Sequence, residues 1–263
     1  MNYQLERDLL VVKVGTNVLA DTSGEFERLD DHSFESIGRE VHQLSNNGMG
    51  IVLVTSGAIT AGVLGEQKRR YDIQDATELQ RYAARGWDSV VQKWKSVIGS
   101  ERISSTLLTK REVHTEAMRI KALGVISCCL AHNDIFVVNE NDTISDDEIK
   151  FGDNDTLAAA LAVECAIAGL FRSVRLVLLT NKNGLNEIAD DDSTLIRTVT
   201  DIEAVEKYAG SAANGHSRGG MKTKVEAAKT AKRAGIETSI ANGRTGQVIT
   251  KALNREIGTY FVL

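Results

Sequence analysis

Lys13 is a charged residue inside an otherwise apolar segment. It interrupts LLVVKV at residues 9–14, a pattern typical of a strand that is covered on both faces. Because an unpaired ammonium group is costly to bury, Lys13 needs an anionic partner or a lowered pKa. A phosphate group would be such a partner. The alternative is a lysine at the edge of the sheet whose side chain reaches solvent.

A second group of cations opens a predicted helix. The segment GGMKTK, residues 219–224, carries Lys222 and Lys224 near the first helical turn. Cations there oppose the helix dipole by roughly 0.3–1 kcal/mol each, so a bound anion is expected to offset them. Flexible glycines and a lysine at a helix N-terminus are typical of a phosphate site, although the spacing is not that of a P-loop. The alternative is a solvated lysine-rich face that continues through Lys229 and Lys232.

Polar residues also follow other strand-like segments. Ser56 and Gly57 belong to VTSGA, where a hydroxyl and backbone amides can approach an anion; a turn that uses both only for its geometry is the alternative. The segment GDNDT, residues 152–156, opens a helix, and its two aspartates exceed what one helix cap requires. Together with the acidic loop NEND at 139–142, they predict recognition of an amino group, of Mg²⁺, or of both.

These motifs are separated by alternating strand-like and helix-like segments. Strands are predicted at 9–14, 51–55, 103–109, 135–138, 174–180 and 236–241. Helices are predicted at 31–48, 75–98, 112–131, 154–170 and 219–234. Residues 247–263 are expected to add one or two strands. The alternation predicts a mostly parallel sheet with helices on both faces.

Ligands of such a sheet bind outside the carboxyl ends of its strands. The polar stretches 139–153 and 182–194 both follow predicted strands directly. They are therefore expected to carry the function.

Composition narrows the class of protein. The net charge of −5, with both signs interspersed, argues against general nucleic-acid binding. The apolar runs are too short for a membrane span and the N-terminus lacks a signal peptide, so a cytoplasmic location is expected. The three cysteines lack the spacing of a metal site or disulfide framework and are predicted to be reduced core thiols. A single domain over residues 1–263 is expected because no linker or repeat is apparent.

Six segments together resemble the amino-acid kinase family, and within it the glutamate 5-kinase branch. In chain order they are VVKVGTNVL, VTSGA, VVNENDT, EIKFGDNDTLAA, LLTNKNGL and GGMKTKVEAAKTAKRAGI, and the resemblance covers about residues 9–245. It implies a three-layer αβα sandwich around an open, mainly parallel sheet of about eight strands. It also implies that the N-terminal half binds the amino-acid substrate and the C-terminal half binds the nucleotide.

The resemblance further implies a reaction. ATP would phosphorylate the side-chain carboxylate of L-glutamate to give L-glutamyl 5-phosphate, the first step of proline biosynthesis. Mg²⁺ is expected to arrive with ATP, without a direct protein ligand. Proline as a feedback inhibitor, glutamyl-phosphate reductase as acceptor of the product, and a homo-oligomer are further expectations. The alternatives are a catalytically silent glutamate- or proline-binding regulatory member, and a sister kinase acting on another carboxylate or on a phosphate.

Site residues follow from their positions in the shared motifs. The resemblance implies that Lys13 and Lys224 hold the phosphates and that Asp155 orients both lysines. The expected substrate contacts are Ser56, Gly57, Asp142, Asp153 and Asn154. The expected nucleotide contacts are Lys13, Thr180, Asn181, Arg218, Gly219, Gly220, Met221, Lys222 and Lys224.

Some positions depart from the family pattern. Asn181 stands where the family usually has aspartate, Ser217 stands where it usually has glycine, and Arg218 stands where it usually has threonine. Family members often carry a C-terminal RNA-binding-type domain, which is not expected within these 263 residues. The departures suggest altered nucleotide preference, weaker proline feedback, or binding without turnover. Activity is favoured because the charged groups of the transfer site are retained.

Overall fold

A computed structural model describes residues 5–66, 68–144, 154–210 and 220–263, which contain ten strands, ten α-helices and three short 3-10 helices. The strands are β1 Leu5–Val14, β2 Ala20–Asp21, β3 Arg28–Leu29, β4 Gly50–Thr55, β5 Ile103–Leu108, β6 Ile135–Glu140, β7 Phe171–Thr180, β8 Thr198–Val199, β9 Glu237–Asn242 and β10 Thr259–Phe261. The helices are α1 Thr16–Leu19, α2 Asp31–Asn46, α3 Ala58–Gly62, α4 Ala76–Ile98, α5 Lys110–His114, α6 Glu116–Ala131, α7 Asn154–Ile167, α8 Ile202–Ala209, α9 Met221–Arg233 and α10 Val248–Leu253.

Eight of the strands form one open sheet. Their order is β5-β6-β4-β1-β7-β9-β10-β8, and β2 pairs separately with β3. Neighbouring strands of the large sheet run parallel, apart from the antiparallel pair β9 and β10. This confirms the predicted mainly parallel sheet of about eight strands.

The central strand β1 is covered on both faces. Leu9 and Val11 pack in a core cluster with residues of α7 and α9, whereas Leu10 and Val12 pack in a second cluster with residues of α2 and α4. Because successive side chains of a strand point to opposite faces, the two clusters are the two interfaces of an αβα sandwich. Lys13 is two residues after Val11 in the same strand, so its side chain lies on the same face and points towards the layer that contains α7 and α9.

The helix boundaries have local causes. Asp30 caps α2 by accepting a hydrogen bond from the His32 backbone N–H at 3.2 Å. The same helix ends before Gly48, whose φ of +90° suits glycine. The Asn-Asn-Gly sequence predicted this stop.

The predicted helix over 112–131 is wrong in one respect, because the structure divides it in two. Thr109 and Glu112 form a capping box that starts α5 at Lys110. Thr115 then has extended backbone angles, φ −79° and ψ 118°, and separates α5 from α6. The apolar side chains of α6 are distributed all around the helix, so their pattern could not reveal the break.

The C-terminal segment contains a helix as well as a strand. β10 joins the large sheet, as expected, but α10 was not predicted. The buried Glu40 side chain of α2 accepts hydrogen bonds from the backbone N–H groups of Ile249 and Thr250 at 3.1 and 2.6 Å. This cap comes from a residue more than 200 positions away in the chain and leaves no local signal.

Two glycines let α3 and α4 cross closely. A Cβ atom built on Gly86 would lie 1.9 Å from the Ala58 carbonyl oxygen, and one on Gly62 would lie 2.0 Å from the Tyr82 carbonyl oxygen. Both contacts are shorter than real atoms tolerate. The crossing fixes the ends of the segment between these two helices, which forms one wall of the cleft described below.

Candidate active site

A cleft of about 660 Å³ lies beyond the carboxyl ends of the central strands. Lys13 of β1, Ser56 after β4, Asn139 of β6 and Thr180 of β7 all line it. This is the edge of an open α/β sheet at which ligands are expected, since β1 is flanked by β4 on one side and β7 on the other. For reference, we call the β4 and β6 side the substrate half and the β7 side the nucleotide half, after the ligands that the family resemblance predicts for them.

Two lysines share one buried carboxylate at the junction of the halves. Lys13 Nζ lies 2.8 Å from Asp155 Oδ1, and Lys224 Nζ lies 3.0 Å from Asp155 Oδ2. Thr223 Oγ1 also donates to Asp155 Oδ2 at 2.7 Å. Asp155 is fully buried and both lysines are 4% exposed. The lysine in β1 thus has an ionic partner, as its burial requires.

The Asp155 carboxyl has a lowered pKa. Burial alone would raise that pKa, but the ammonium groups of Lys13 and Lys224, with the hydrogen bonds from Lys13 and Thr223, lower it to about 2. The group is therefore ionised at neutral pH. Three charges in a buried cluster leave a net positive site at the base of the cleft, which suits a polyphosphate.

Asn154 connects the strand ends of the substrate half. Its Nδ2 donates to Ser56 Oγ at 3.0 Å and to Asn139 Oδ1 at 2.9 Å, and its Oδ1 accepts from the Glu140 backbone N–H at 3.0 Å. Asn154 is the first residue of α7, directly before Asp155. The start of α7 therefore positions both the substrate half and the lysine-binding carboxylate.

Gly57 allows the turn after β4. It has a left-handed backbone with φ of +102° and precedes α3, a conformation that favours glycine. Thr55, at the end of the strand, accepts a hydrogen bond from the buried Trp94 Nε1 at 3.0 Å. These contacts fix Ser56 at the cleft.

The nucleotide half is more open. Asn181 and Lys182 follow β7 and are exposed, and Lys182 forms an ion pair with Asp190. Gly220, Met221 and Lys222 line the cleft at the N-terminus of α9. A helix N-terminus and a lysine together suit a phosphate group.

Most of the predicted site residues meet at this cleft. Those that line it are Lys13, Ser56, Gly57, Asp142, Asn154, Thr180, Asn181, Gly220, Met221, Lys222 and Lys224. Asp155 lies beneath the lining and contacts both lysines. Asp153, Arg218 and Gly219 lie outside the described residues, as does Ser217.

Two polar residues inside the predicted motifs were given no role from the sequence. Thr223 donates to Asp155, and Asn139 accepts from Asn154. Both lie inside motifs that were singled out, GGMKTK and NEND. Their spacing from the charged residues was the available signal, but a polar side chain in a motif does not reveal its partner.

The described residues contain no cluster of three or more histidine, cysteine, aspartate or glutamate side chains that could hold a metal ion. Within the same residues, no helix combines the length and apolar character that a membrane crossing needs.

Comparison with known families agrees with this geometry. The model of the amino acid kinase family matches residues 8–242. The chain therefore belongs to the amino acid kinase family.

Its relatives narrow the group further. The chain is 36% identical to the glutamate 5-kinase of Shewanella woodyi, over 96% of this chain and 67% of that protein. It is 34% identical to the glutamate 5-kinase of Clostridium acetobutylicum, over 96% of this chain and 94% of that protein. The predicted resemblance to glutamate 5-kinases is confirmed, and the chain is an enzyme of the kinase class.

A solved structure supports the fold. Carbamate kinase from Giardia lamblia, bound to AMP-PNP, has a TM-score of 0.64 with 16% identity, over 98% of each chain. At this identity the likeness concerns the fold alone. The predicted amino-acid kinase fold is confirmed.

Proposed function

We propose that the cleft transfers the γ-phosphoryl group of ATP to the side-chain carboxylate of L-glutamate, which yields L-glutamyl 5-phosphate and ADP. The observation that carries the proposal is the buried cluster in which Asp155 binds both Lys13 and Lys224. It lies where the substrate half and the nucleotide half meet. The glutamate 5-kinases among its relatives support glutamate as the acceptor.

Glutamate would occupy the substrate half. Ser56, Gly57 and Asn154 line that half with a hydroxyl, a backbone turn and an amide, and Asp142 adds a carboxylate. Asp142 suits the α-ammonium group by charge. The side-chain carboxylate would then extend towards the two lysines.

ATP would occupy the nucleotide half. Thr180 lines it at the end of β7 and Asn181 directly after the strand, and Gly220, Met221 and Lys222 line it at the start of α9. The phosphates would face the N-terminus of α9 and the ammonium groups of the buried cluster.

The reaction needs little covalent help from the protein. A carboxylate oxygen of glutamate forms a bond to the γ-phosphorus while the bond to the bridging oxygen of ADP breaks. The acceptor, with an ordinary pKa near 4.3, is already ionised at neutral pH, so no general base is required. Catalysis then depends on alignment and on stabilisation of charge at the phosphoryl oxygens.

Lys13 and Lys224 supply that stabilisation from both sides of the transfer point. Preorganised charges stabilise a transition state because they need no reorientation during the reaction. Asp155 acts as a positioning residue, since it holds both ammonium groups and offsets part of their repulsion. Mg²⁺ bound with ATP would neutralise further phosphate charge.

Other parts of the proposal rest on the family resemblance. By motif position, Asp153 joins the substrate contacts, and Arg218 and Gly219 join the nucleotide contacts. The same resemblance supports a single kinase domain with a homo-oligomeric assembly, proline as feedback inhibitor and glutamyl-phosphate reductase as acceptor of the product. A cytoplasmic location is part of this proposal.

The direct test uses purified protein with MgATP, L-glutamate and hydroxylamine. An acyl phosphate product reacts with hydroxylamine to give a hydroxamate, so we expect hydroxamate and ADP in equal amounts. Omitting glutamate is the control for unproductive ATP hydrolysis. Absence of glutamate-dependent hydroxamate from folded protein would falsify the proposal.

A further inference from the structure

An arginine lines the substrate half from the segment between α3 and α4. Arg70 begins a short 3-10 helix, Arg70–Asp72, and its side chain is 15% exposed. It borders the cleft together with Asn17, Thr60 and Tyr71. None of the motifs of the sequence includes Arg70.

Three neighbours hold its guanidinium group. Nη2 donates to Asn17 Oδ1 at 2.9 Å, and the guanidinium carbon lies 4.3 Å from the centre of the Tyr71 ring. Nε lies 3.4 Å from Oε2 of Glu27, a buried carboxylate that also accepts from Thr60 Oγ1 at 3.3 Å. A cation held in this way loses little conformational freedom when it binds an anion.

The Nη1 group of the guanidinium is available to a ligand. Among the described residues, Nη1 has no hydrogen-bond partner, whereas Nη2 is used by Asn17 and Tyr71. Nη1 carries two N–H donors on a permanently charged group, so it can donate to a carboxylate while the rest of the guanidinium stays held by its neighbours. The wall of the substrate half thus presents a fixed cation suited to a carboxylate.

The distribution of cations in the cleft assigns this group a role. The described cations that line the cleft are Lys13, Arg70, Lys182, Lys222 and Lys224. Lys13 and Lys224 belong to the transfer point, and Lys182 and Lys222 belong to the nucleotide half. Within the described lining, Arg70 is therefore the cation of the substrate half.

L-Glutamate carries two carboxylates and one ammonium group. The proposed function uses the side-chain carboxylate at the lysines and the ammonium group at Asp142, which leaves the α-carboxylate without a counter-charge. We infer that Arg70 binds the α-carboxylate of the acceptor and makes the cleft specific for an α-amino acid. This inference rests on the proposed function.

The test compares glutamate with L-isoglutamine, its α-amide, which keeps the amino group and the side-chain carboxylate but loses the α-charge. In Arg70→Gln, we expect the KM for glutamate to rise about 10- to 100-fold, the range for a lost hydrogen bond between charged groups. The kcat should change little, because the contact is present before and during transfer. The Ki of isoglutamine as a competitive inhibitor should stay within about threefold, since the amide never made the ionic contact.

Two further variants separate contact from folding. Arg69→Gln is the matched control: Arg69 is adjacent in sequence, donates to the backbone carbonyl of Glu25 at 2.8 Å and does not line this cleft, so both constants should be unchanged. Arg70→Lys keeps a cation beside Glu27 but loses the planar group that can contact Asn17 and the ligand at the same time, so its KM for glutamate should be intermediate.

If Arg70→Gln raised the KM for glutamate and the Ki of isoglutamine by the same factor, the inference would be overturned, because a structural role affects the binding of both ligands alike. Unchanged constants for both would overturn it as well. Calorimetric titration of glutamate into wild type and Arg70→Gln measures the dissociation constant of glutamate, and thus the same contact, without turnover. Absence of hydroxamate with wild type would refute the proposed function, while a loss of glutamate affinity confined to Arg70→Gln would still support the contact.

Discussion

The two halves of the cleft differ in how tightly their residues are held. In the substrate half, Ser56 and Asn154 are each 7% exposed and Asn139 is 2% exposed, and the three are joined by hydrogen bonds. In the nucleotide half, Asn181 and Lys182 are exposed, and the described contacts come mainly from loops and a helix N-terminus.

This difference reflects how each half would recognise its ligand. A small acceptor is recognised by a few polar groups whose positions must be fixed, and hydrogen bonds between strand ends fix them. A nucleotide offers larger surface and several phosphates, so exposed side chains and backbone amides suffice. A change in the substrate half should therefore cost more than a change in the nucleotide half, and a change at their junction should cost most.

The largest effect is expected at the junction, in Lys224→Ala. Loss of one preorganised charge at the transfer point should lower kcat by about 10²- to 10³-fold. The hydroxamate assay with saturating substrates measures this change. Lys229→Ala is the matched control, because Lys229 lies on the same helix but pairs with Glu203 and Glu206 away from the cleft. Near-normal turnover in Lys224→Ala would refute the role given to the buried cluster.

The junction should also control stability in acid. The pKa of Asp155 is about 2 in the folded protein, below its ordinary value of 3.8, so folding favours the ionised carboxylate. Its contribution, about 2 kcal/mol, is present above about pH 4 and is lost as the pH falls towards 2. Urea unfolding at pH 5 and pH 2.5 measures the loss.

Asp155→Asn should lack this component of the acid loss, although the variant is less stable at neutral pH because two lysines then lack a buried counter-charge. Asp8, whose pKa is also about 2 because of hydrogen bonds from Arg172 and Ser173, continues to contribute in both proteins. Asp190→Asn, at an exposed ion pair, is the matched control and should retain the full wild-type loss. If the free energy of unfolding fell by the same amount between pH 5 and pH 2.5 in wild type and in Asp155→Asn, the ionic role of Asp155 would be contradicted.

One variant in each half, with a smaller expected effect on KM, allows the two halves to be compared directly. Asn154→Ala removes the hydrogen bonds to Ser56 and Asn139, so the KM for glutamate should rise about tenfold while the KM for ATP stays within about twofold. Asn181→Asp, which restores the usual family carboxylate, should change only the KM for ATP, by less than about fivefold, because the residue is exposed. Initial-rate kinetics with each substrate varied checks both. A larger effect of Asn181→Asp than of Asn154→Ala would reverse the comparison.

The sequence predicted most of the fold from local patterns and much of the site from the family resemblance. Apolar runs and alternating segments predicted six strands of the main sheet, and the resemblance implied that Lys13, Ser56, Asn154 and Lys224 belong to one site. It did not predict the break at Thr115, because a helix boundary there depends on one residue's backbone angles rather than on periodicity. It also missed the cap of α10 by Glu40, because the two segments are far apart in the chain.

What the sequence alone determined was the alternation of elements and the polar residues at strand ends, since side-chain periodicity records which face of an element is buried. The family resemblance implied that Asp155 lies between two lysines, but only the tertiary structure decided the other partners: Asn154 between two strand ends, and Arg70 beside Glu27 and Asn17. The physical reason is that these contacts join segments brought together by the strand order. A charged side chain in sequence shows that a partner is needed, and the packed sheet determines which one it meets.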